Sequence, residues 1–266
     1  MDKKKIIFSS GGTGGHIFPT ISSIKYFQKK NFDTVLVTDD RAKKYLNTDR
    51  NLTIYIINSD TPFNKSFIKK IISLFTILTS VIKSYKILKI EKPNLVFGVG
   101  GYVSFPICIA AKILNIPIVI YENNVILGRA NKYLLPFVRK FFSANHETIN
   151  FPTKYKNKFF YVGHIVREEI QLIKNKKIKN NQSDKEISLL VLGGSQGADI
   201  FDKIIPEVIQ KLFNENIKIN LYQQCTKPNK QRLIDFYSLL KIKFDIFNFK
   251  ENIVEILEKT DLAITR

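Results

Sequence analysis

The hydrophobic positions of this chain fall into short apolar runs that alternate with longer amphipathic segments. The short runs predict strands, and most are followed by a Gly, Asp, Asn or Pro signal and then by a helical pattern. Repeated alternation of strand and helix is typical of parallel sheets covered by helices on both faces. The predicted strands are residues 5–10, 34–38, 53–57, 95–98, 118–122, 187–192, 217–223, 243–247 and 262–265.

The strand–helix pattern restarts once along the chain. Residues 174–186 are polar, charged and without periodicity, which predicts a linker or an exposed loop. We therefore expect two doubly wound α/β units, residues 1–163 and residues 164–266. The second is shorter, and the chain stops just after a predicted strand, where an open sheet places a binding loop. We expect this second domain to be truncated.

Composition narrows the class of protein. The 266 residues are 44% hydrophobic, which is enough to bury a core, and the net charge is +19. Such a charge favours an anionic partner, although an abundance of Lys in a compositionally biased chain also explains much of it. Two cysteines and three histidines argue against a disulfide scaffold and against a Cys-rich or His-rich metal site. We find no signal peptide and no uncharged apolar run of about 18 residues, so we expect a cytoplasmic protein, soluble or peripheral.

A glycine-rich loop between the first predicted strand and a helix starting near Ile17 is the strongest chemical signal. Residues 11–16 read GGTGGH, and the glycines and helix N-terminus together suit an anion. The loop is not a dinucleotide fingerprint, since Ile17 stands where the last glycine belongs, nor a P-loop, since it has no Lys. A neutral imidazole is favoured at a helix N-terminus, so His16 is a candidate general base. The alternative is an imidazole that only packs against the sheet.

Four further sites carry polar or glycine-rich chemistry at strand ends or at the domain junction. Each has a structural alternative, namely a helix-entry turn, a capped polar loop or a surface ion pair. Two glycine cradles on two Rossmann-like units nevertheless indicate a cleft that holds two ligands, both suited to carry phosphate. The segments are residues 98–104 (GVGGYVS), 122–124 (ENN) with 128–132 (GRANK), 163–167 (GHIVR) and 193–198 (GGSQGA).

Residues 63–92 combine many lysines with an uncharged apolar stretch, residues 71–82. A basic helix with an apolar face can lie on an anionic membrane. An ordinary crossover helix with a solvated Lys edge explains the pattern equally well.

The motifs of this chain resemble, in their order and spacing, those of the MurG family, the UDP-N-acetylglucosamine transferases that complete lipid II. These motifs are GGTGGHIFP, GVGGYVS, YENN followed by GRANK, GHIVR and LGGSQGA. The resemblance covers residues 6–266. It implies a GT-B fold, with two Rossmann-like domains facing across a cleft. It implies inverting transfer of N-acetylglucosamine from UDP to the 4-hydroxyl of the muramyl sugar of lipid I, in peptidoglycan synthesis, with no metal or other cofactor. The implied partners are UDP-N-acetylglucosamine, lipid I and the anionic inner-membrane surface, with no nucleic acid.

The resemblance also implies roles for single residues and a place in the cell. His16 matches the proposed general base, and residues 63–92 match the region that docks on the cytoplasmic side of the bacterial membrane as a peripheral protein. Asn123 and the pair His164-Ile165 depart from the family pattern. The implied acceptor-side and donor-side substrate-binding residues are Thr13, Gly14, Gly15, Tyr102, Glu122, Asn124, Arg167, Ser195, Gln196 and Lys250.

Three alternatives remain open. A glycolipid synthase would use the same donor chemistry on diacylglycerol. A dinucleotide-binding oxidoreductase would share the fold, although the failed fingerprint argues against it. The family's sequence continues beyond the position of Arg266, so we expect this chain to be a fragment or a decayed protein, and an inactive membrane-bound scaffold is the third alternative.

Overall fold

The computed structural model describes residues 3–11, 14–46, 52–58, 60–61, 66–173, 186–194, 198–250 and 252–265. These residues form two compact units, Met1–Arg167 and Glu168–Arg266. Residues 164–167, which the sequence pattern assigns to the second domain, therefore lie in the first unit. The predicted linker falls on residues 174–185, outside the described residues, and on residue 186.

The first unit is built on one parallel sheet. Its strands are β1 (Lys5–Ser9), β2 (Asp33–Thr38), β3 (Thr53–Ile56), β4 (Leu95–Gly98), β5 (Ile118–Glu122), β6 (Lys140–Ser143) and β7 (Phe159–Tyr161). Its helices are α1 (Gly14–Lys29), α2 (Phe67–Glu91), α3 (Ser104–Ile113) and α4 (Arg129–Leu134). The spatial order is β3-β2-β1-β4-β5-β6-β7, so the direction of strand addition reverses between β1 and β4. Ligands in such sheets bind beside this reversal, at the carboxyl ends of the strands.

The sheet of the first unit is buried on both faces. Ile7 belongs to the apolar core on one face, whereas Ile6 and Phe8 belong to the core on the other. Successive side chains of a strand point to opposite faces, so a strand covered on both sides reads as an unbroken apolar run. This explains why β1 is apolar throughout.

Two local features of the first unit differ from the sequence prediction. Helix α1 begins at Gly14 rather than near Ile17, so Gly14, Gly15 and His16 form its first turn, and Pro19 lies inside it. Strands β6 and β7 were not predicted. They are short, and β7 lies at the sheet edge, so neither produces a long apolar run.

The second unit repeats the architecture on a smaller scale. Its strands are β8 (Ile187–Leu192), β9 (Ile219–Gln224), β10 (Lys243–Phe247) and β11 (Leu262–Thr265), and all of them were predicted. Its helices are α5 (Glu168–Ile173), α6 (Asp199–Asn214), α7 (Lys230–Leu239) and α8 (Val254–Leu257). The parallel order is β10-β9-β8-β11, so the reversal lies between β8 and β11. The prediction of two Rossmann-like α/β units is confirmed.

Helix α2 is the longest helix among the described residues, with 25 residues. By length and composition alone it could cross a membrane, with a mean hydropathy of 1.6 over an 18-residue window that is 28% buried. It connects β3 to β4 within one sheet and packs against α3. Near its end, Glu91 accepts hydrogen bonds from Lys5 (2.8 Å) and Tyr55 (2.6 Å). These contacts fix its C-terminal part in the first unit as a crossover helix.

Candidate active site

His16 lies where two glycine loops of the first unit meet. The first loop leads from β1 into α1, and His16 stands in the first turn of that helix. The second loop follows β4, and two of its residues, Gly100 and Gly101, have positive φ values of 97° and 79°. A Cβ on Gly101 would lie 3.0 Å from the carbonyl oxygen of Gly11, so the loops are in backbone contact. Thr13 lies outside the described residues.

The second glycine loop also packs against the imidazole of His16. A Cβ on Gly100 would lie 2.8 Å from Nδ1 of His16. Ser104 fixes this loop, since its hydroxyl lies 3.0 Å from the carbonyl oxygen of Ser9 and 2.9 Å from that of Gly100. Tyr102 remains 38% exposed at the outer side of the loop. The contact between glycine and imidazole explains why glycine, and no larger residue, suits position 100.

Partial burial of His16 favours the neutral form of its imidazole. Desolvation lowers its pKa below the ordinary value of 6.5, because the charged imidazolium loses water. The negative charge of Glu122 and the backbone of Val99 oppose this shift without cancelling it. Nδ1 is buried and makes no hydrogen bond among the described residues. A neutral imidazole near pH 7 is the form that can accept a proton.

Glu122, at the end of β5, is 1% exposed, and both its oxygens are occupied. Oε1 accepts from the backbone N–H (3.1 Å) and side-chain amide (2.8 Å) of Asn124. Oε2 accepts from the backbone N–H of Gly128 (2.9 Å) and the amide of Asn131 (2.8 Å). Its contacts are thus those of a residue that folds the loop after β5. The Asn124 amide is held by the same carboxylate.

A hydrogen-bond hub joins the first turn of α1 to the segment before Arg167. Nδ2 of Asn123 donates to the carbonyl oxygen of Gly15 (3.3 Å), and its Oδ1 lies 3.1 Å from Nδ1 of His164. The hydroxyl of Tyr121 accepts from the backbone N–H of Ile165 (3.1 Å). Asn123 and His164, which both depart from the family pattern, therefore contact each other.

Arg167 is the last residue of the first unit, and its guanidinium lies over the ring of Phe18 at 4.9 Å. Phe18 follows His16 on α1 by two positions. A planar guanidinium stacks on an aromatic face while its edge remains able to donate hydrogen bonds. Phe18 therefore orients Arg167.

The second unit places a glycine loop at its own strand reversal. Gly193 follows β8, and Gly194 has a φ of 82° with open space where a Cβ would stand. Ser195 and Gln196 lie outside the described residues. Lys250 forms an ion pair with Asp245 and stands over the ring of Phe247 at 5.2 Å. The ammonium group is therefore held by its own unit.

Two side-chain contacts at these loops were not anticipated from the sequence. Asp39, which follows β2, is buried, and a Cβ on Gly11 would lie 2.7 Å from its Oδ2. The same Oδ2 lies 2.6 Å from Nη2 of Arg41, so the pair borders the first glycine loop. An acidic residue directly after a strand that neighbours a glycine loop is the signal that could have predicted this contact from the sequence. The second contact is made by Gln224, which accepts a hydrogen bond from the backbone N–H of Gly193.

In the part of the chain that the structure describes, no three His, Cys, Asp or Glu side chains come together as metal ligands.

The comparisons with known proteins agree across the chain. Residues 6–143 match the glycosyltransferase family 28 N-terminal domain, and residues 188–266 match the glycosyltransferase family 28 C-terminal domain. A Pelagibacter ubique protein is 35% identical over 264 residues, and the match covers 99% of this chain and 72% of the Pelagibacter protein. A Rickettsia bellii protein is 33% identical, with 99% and 73% covered. Both are named UDP-N-acetylglucosamine–N-acetylmuramyl-(pentapeptide) pyrophosphoryl-undecaprenol N-acetylglucosamine transferase.

Solved structures give the same result. MurG of Acinetobacter baumannii superposes with a TM-score of 0.72 at 25% identity, covering 99% of this chain and 73% of that one. A UDP-GlcNAc 2-epimerase from Neisseria meningitidis has a TM-score of 0.64 at 16% identity, with 98% and 77% covered, and shares the fold alone. The matches to both domains and to the two curated relatives identify the chain as a member of glycosyltransferase family 28 and, within it, of the MurG transferases.

Proposed function

We propose that this chain transfers N-acetylglucosamine from UDP-N-acetylglucosamine to the 4-hydroxyl of the muramyl sugar of lipid I, forming lipid II with inversion at the anomeric carbon. The observation that carries the proposal is the placement of His16. Its imidazole is kept neutral by burial at the junction of two glycine loops, in a chain whose relatives are named for this transfer. A general base of this kind is what attack by a sugar hydroxyl needs.

In the proposed reaction His16 removes the proton of the acceptor hydroxyl as its oxygen attacks the anomeric carbon. Because Nδ1 is buried beside Gly100, we assign acceptance of that proton to Nε2. The bond from the anomeric carbon to the diphosphate breaks, and UDP leaves with the electron pair. Glycine-loop amides and the start of α6 would stabilise the charge on the leaving diphosphate.

We assign the acceptor to the first unit and the donor to the second. On the acceptor side, Thr13, Gly14 and Gly15 would bind the diphosphate of lipid I, and Tyr102 would lie beside it. Glu122 would act through the loop that it folds, and Asn124, whose Nδ2 donates to Glu122, would present the rest of its carboxamide to the sugars. The proposed donor-side residues are Arg167, Ser195, Gln196 and Lys250.

A MurG transferase is a membrane-associated enzyme of peptidoglycan synthesis, and we propose that this one docks peripherally on the cytoplasmic face. The first half of α2 exposes a cluster of large apolar side chains, which we call the α2 patch: Phe67, Ile68, Ile71, Ile72, Leu74, Phe75 and Leu78. Lys69 and Lys70 stand among them. Apolar side chains with adjacent lysines suit an anionic lipid surface.

The direction of α2 supports this docking mode. A crossover helix between parallel strands runs back against the strand direction, so α2 begins near the carboxyl ends of the strands. The glycine loops and His16 lie at those same ends. Docking through the α2 patch would therefore bring the acceptor loops close to the membrane that holds lipid I.

The direct test offers the purified chain UDP-N-acetylglucosamine with lipid I or with diacylglycerol, in anionic vesicles, and identifies products by mass spectrometry. We expect lipid II from the first acceptor and no product from the second. A product from diacylglycerol alone would establish a glycolipid synthase instead. Absence of both products, in a folded chain that binds UDP, would overturn the proposed activity.

A further inference from the structure

Gln224 stands at the carboxyl end of β9 in the second unit and bridges two neighbouring loops. Its Oε1 accepts a hydrogen bond from the backbone N–H of Gly193 (3.1 Å), in the loop after β8. Its Nε2 donates to the carbonyl oxygen of Asn248 (3.1 Å), in the segment after β10. Gln224 is 5% exposed, and its hydrogen bond to Gly193 is buried while the one to Asn248 is partly buried.

The bridge continues on the far side of Asn248. The amide of Asn248 donates to the carbonyl oxygen of Cys225 (3.0 Å), the residue after Gln224. Residue 248 is thus fixed through both its backbone and its side chain. Phe249 and Lys250 follow directly, so the bonds of Asn248 also restrict where their backbone begins.

The bridged loops lie where an open parallel sheet binds its ligand. Gly193 follows β8, one of the two strands at the reversal of this sheet. Gly194 has a positive φ, which favours glycine, and the space where a Cβ would stand is open. A ligand can therefore approach its backbone closely. The helix α6 begins a few residues later and offers its N-terminus to an anion.

We propose that Gln224 is a positioning residue for the nucleoside diphosphate of the donor, a role that rests on the proposed function. Its carboxamide sets the spacing between the loop after β8, which suits the phosphates, and the segment after β10, which lies on the other side of β9 at the same edge of the sheet. A carboxamide is required because its oxygen must accept one hydrogen bond while its NH2 group donates the other. Gln224 acts through these backbones and does not itself touch the ligand.

Gln223 provides a matched control one residue earlier. It points to the opposite face of β9, where its Oε1 accepts from the hydroxyl of Tyr237 (2.8 Å). It is buried as well, at 0% exposure. Gln223→Leu therefore removes the same kind of side chain from the same strand, away from the two loops.

The test compares Gln224→Leu, Gln224→Glu and Gln223→Leu in the full chain, with UDP binding measured by calorimetry. Loss of both arms in Gln224→Leu should raise the Kd for UDP and the KM for UDP-N-acetylglucosamine by about tenfold. Gln224→Glu should raise both by a similar or larger factor, because a carboxylate oxygen would face the Asn248 carbonyl. The KM for lipid I and the kcat at saturation should change less than about threefold in each variant.

The controls separate positioning from simple destabilisation. Gln223→Leu should lower the melting temperature while its Kd for UDP stays within about twofold of the wild type. Equal weakening of UDP binding in the Gln223 and Gln224 variants would overturn the proposal, as would an unchanged Kd in folded Gln224→Leu. A wild-type chain that binds UDP but makes no lipid II would refute the proposed reaction while leaving this comparison valid.

Discussion

The imidazole of His16 packs directly against the backbone of Gly100, with no room for a side chain between them. A Cβ at position 100 would lie 2.8 Å from Nδ1, and the φ of 97° disfavours any residue with a side chain. The second glycine loop therefore determines where the imidazole stands.

We expect Gly100→Ala to displace His16 and to reduce kcat for lipid II formation by about 10²-fold, the cost of misplacing a reacting group by about 1 Å. The Kd for UDP should be unchanged, because the loops of the second unit are not altered. Steady-state kinetics and calorimetry provide the two measurements. A kcat near the wild-type value would show that the imidazole tolerates the shift.

The pKa of His16 predicts the acid side of the pH profile. Burial lowers this pKa below 6.5, so the base stays neutral as the pH falls through the range where a free histidine becomes charged. The midpoint of the acid limb, measured as kcat against pH, should therefore lie below pH 6.5. His16→Ala should lose about 10²–10⁴-fold in kcat and retain UDP binding. An acid limb above pH 6.5 would contradict the neutral-base assignment.

Glu122 gives a prediction with two readouts. Gln at this position has one oxygen for four donors, so buried N–H groups lose partners at a cost of about 1–3 kcal/mol each. Calorimetry should show a lower melting temperature for Glu122→Gln. The loss of its negative charge should also lower the pKa of His16 further and move the acid limb of the pH profile to lower pH. Glu147→Gln, an exposed carboxylate of the same unit, is the control.

The α2 patch predicts membrane binding that surface charge alone does not provide. Phe75 and Leu78 are 67% and 57% exposed, and burying two such side chains in lipid stabilises binding by about 3–6 kcal/mol. The double variant with Glu at both positions should bind anionic vesicles more than tenfold more weakly in sedimentation assays. It should keep its activity on a water-soluble acceptor analogue.

Leu239, 82% exposed in the second unit, provides the matched control for that experiment. Leu239→Glu should leave vesicle binding unchanged, since only the change in the α2 patch removes the proposed contact. Equal vesicle binding by the wild type and by the double variant would exclude this docking surface.

The strands could be predicted well because their signal is local. A strand buried on both faces, such as β1, has an apolar residue at nearly every position. The edge strand β7 is also apolar throughout, but its three residues are too few to be distinguished as a strand. The order of the strands could not be predicted from local patterns, because nothing within a strand specifies its neighbours.

The candidate site was predictable in its residue types and less so in its contacts. The helix N-terminus led to the prediction of a neutral His16, whereas burial is the main cause of its lowered pKa in the structure. The polar residues Glu122 and Asn124 were predicted to bind substrate. That Glu122 is bonded entirely to its own loop depends on how residues 124–131 fold back, which spacing alone does not reveal.

Pro19 changes the mechanical role of the first turn of α1. Proline has no amide hydrogen, so the carbonyl oxygen of Gly15, four residues earlier, lacks its usual helical donor. Asn123 donates to that oxygen instead. The turn that carries His16 is thereby tied to the loop after β5 and less tightly to its own helix. A ligand that moves this loop would move His16 with it, while the rest of α1 stays in place.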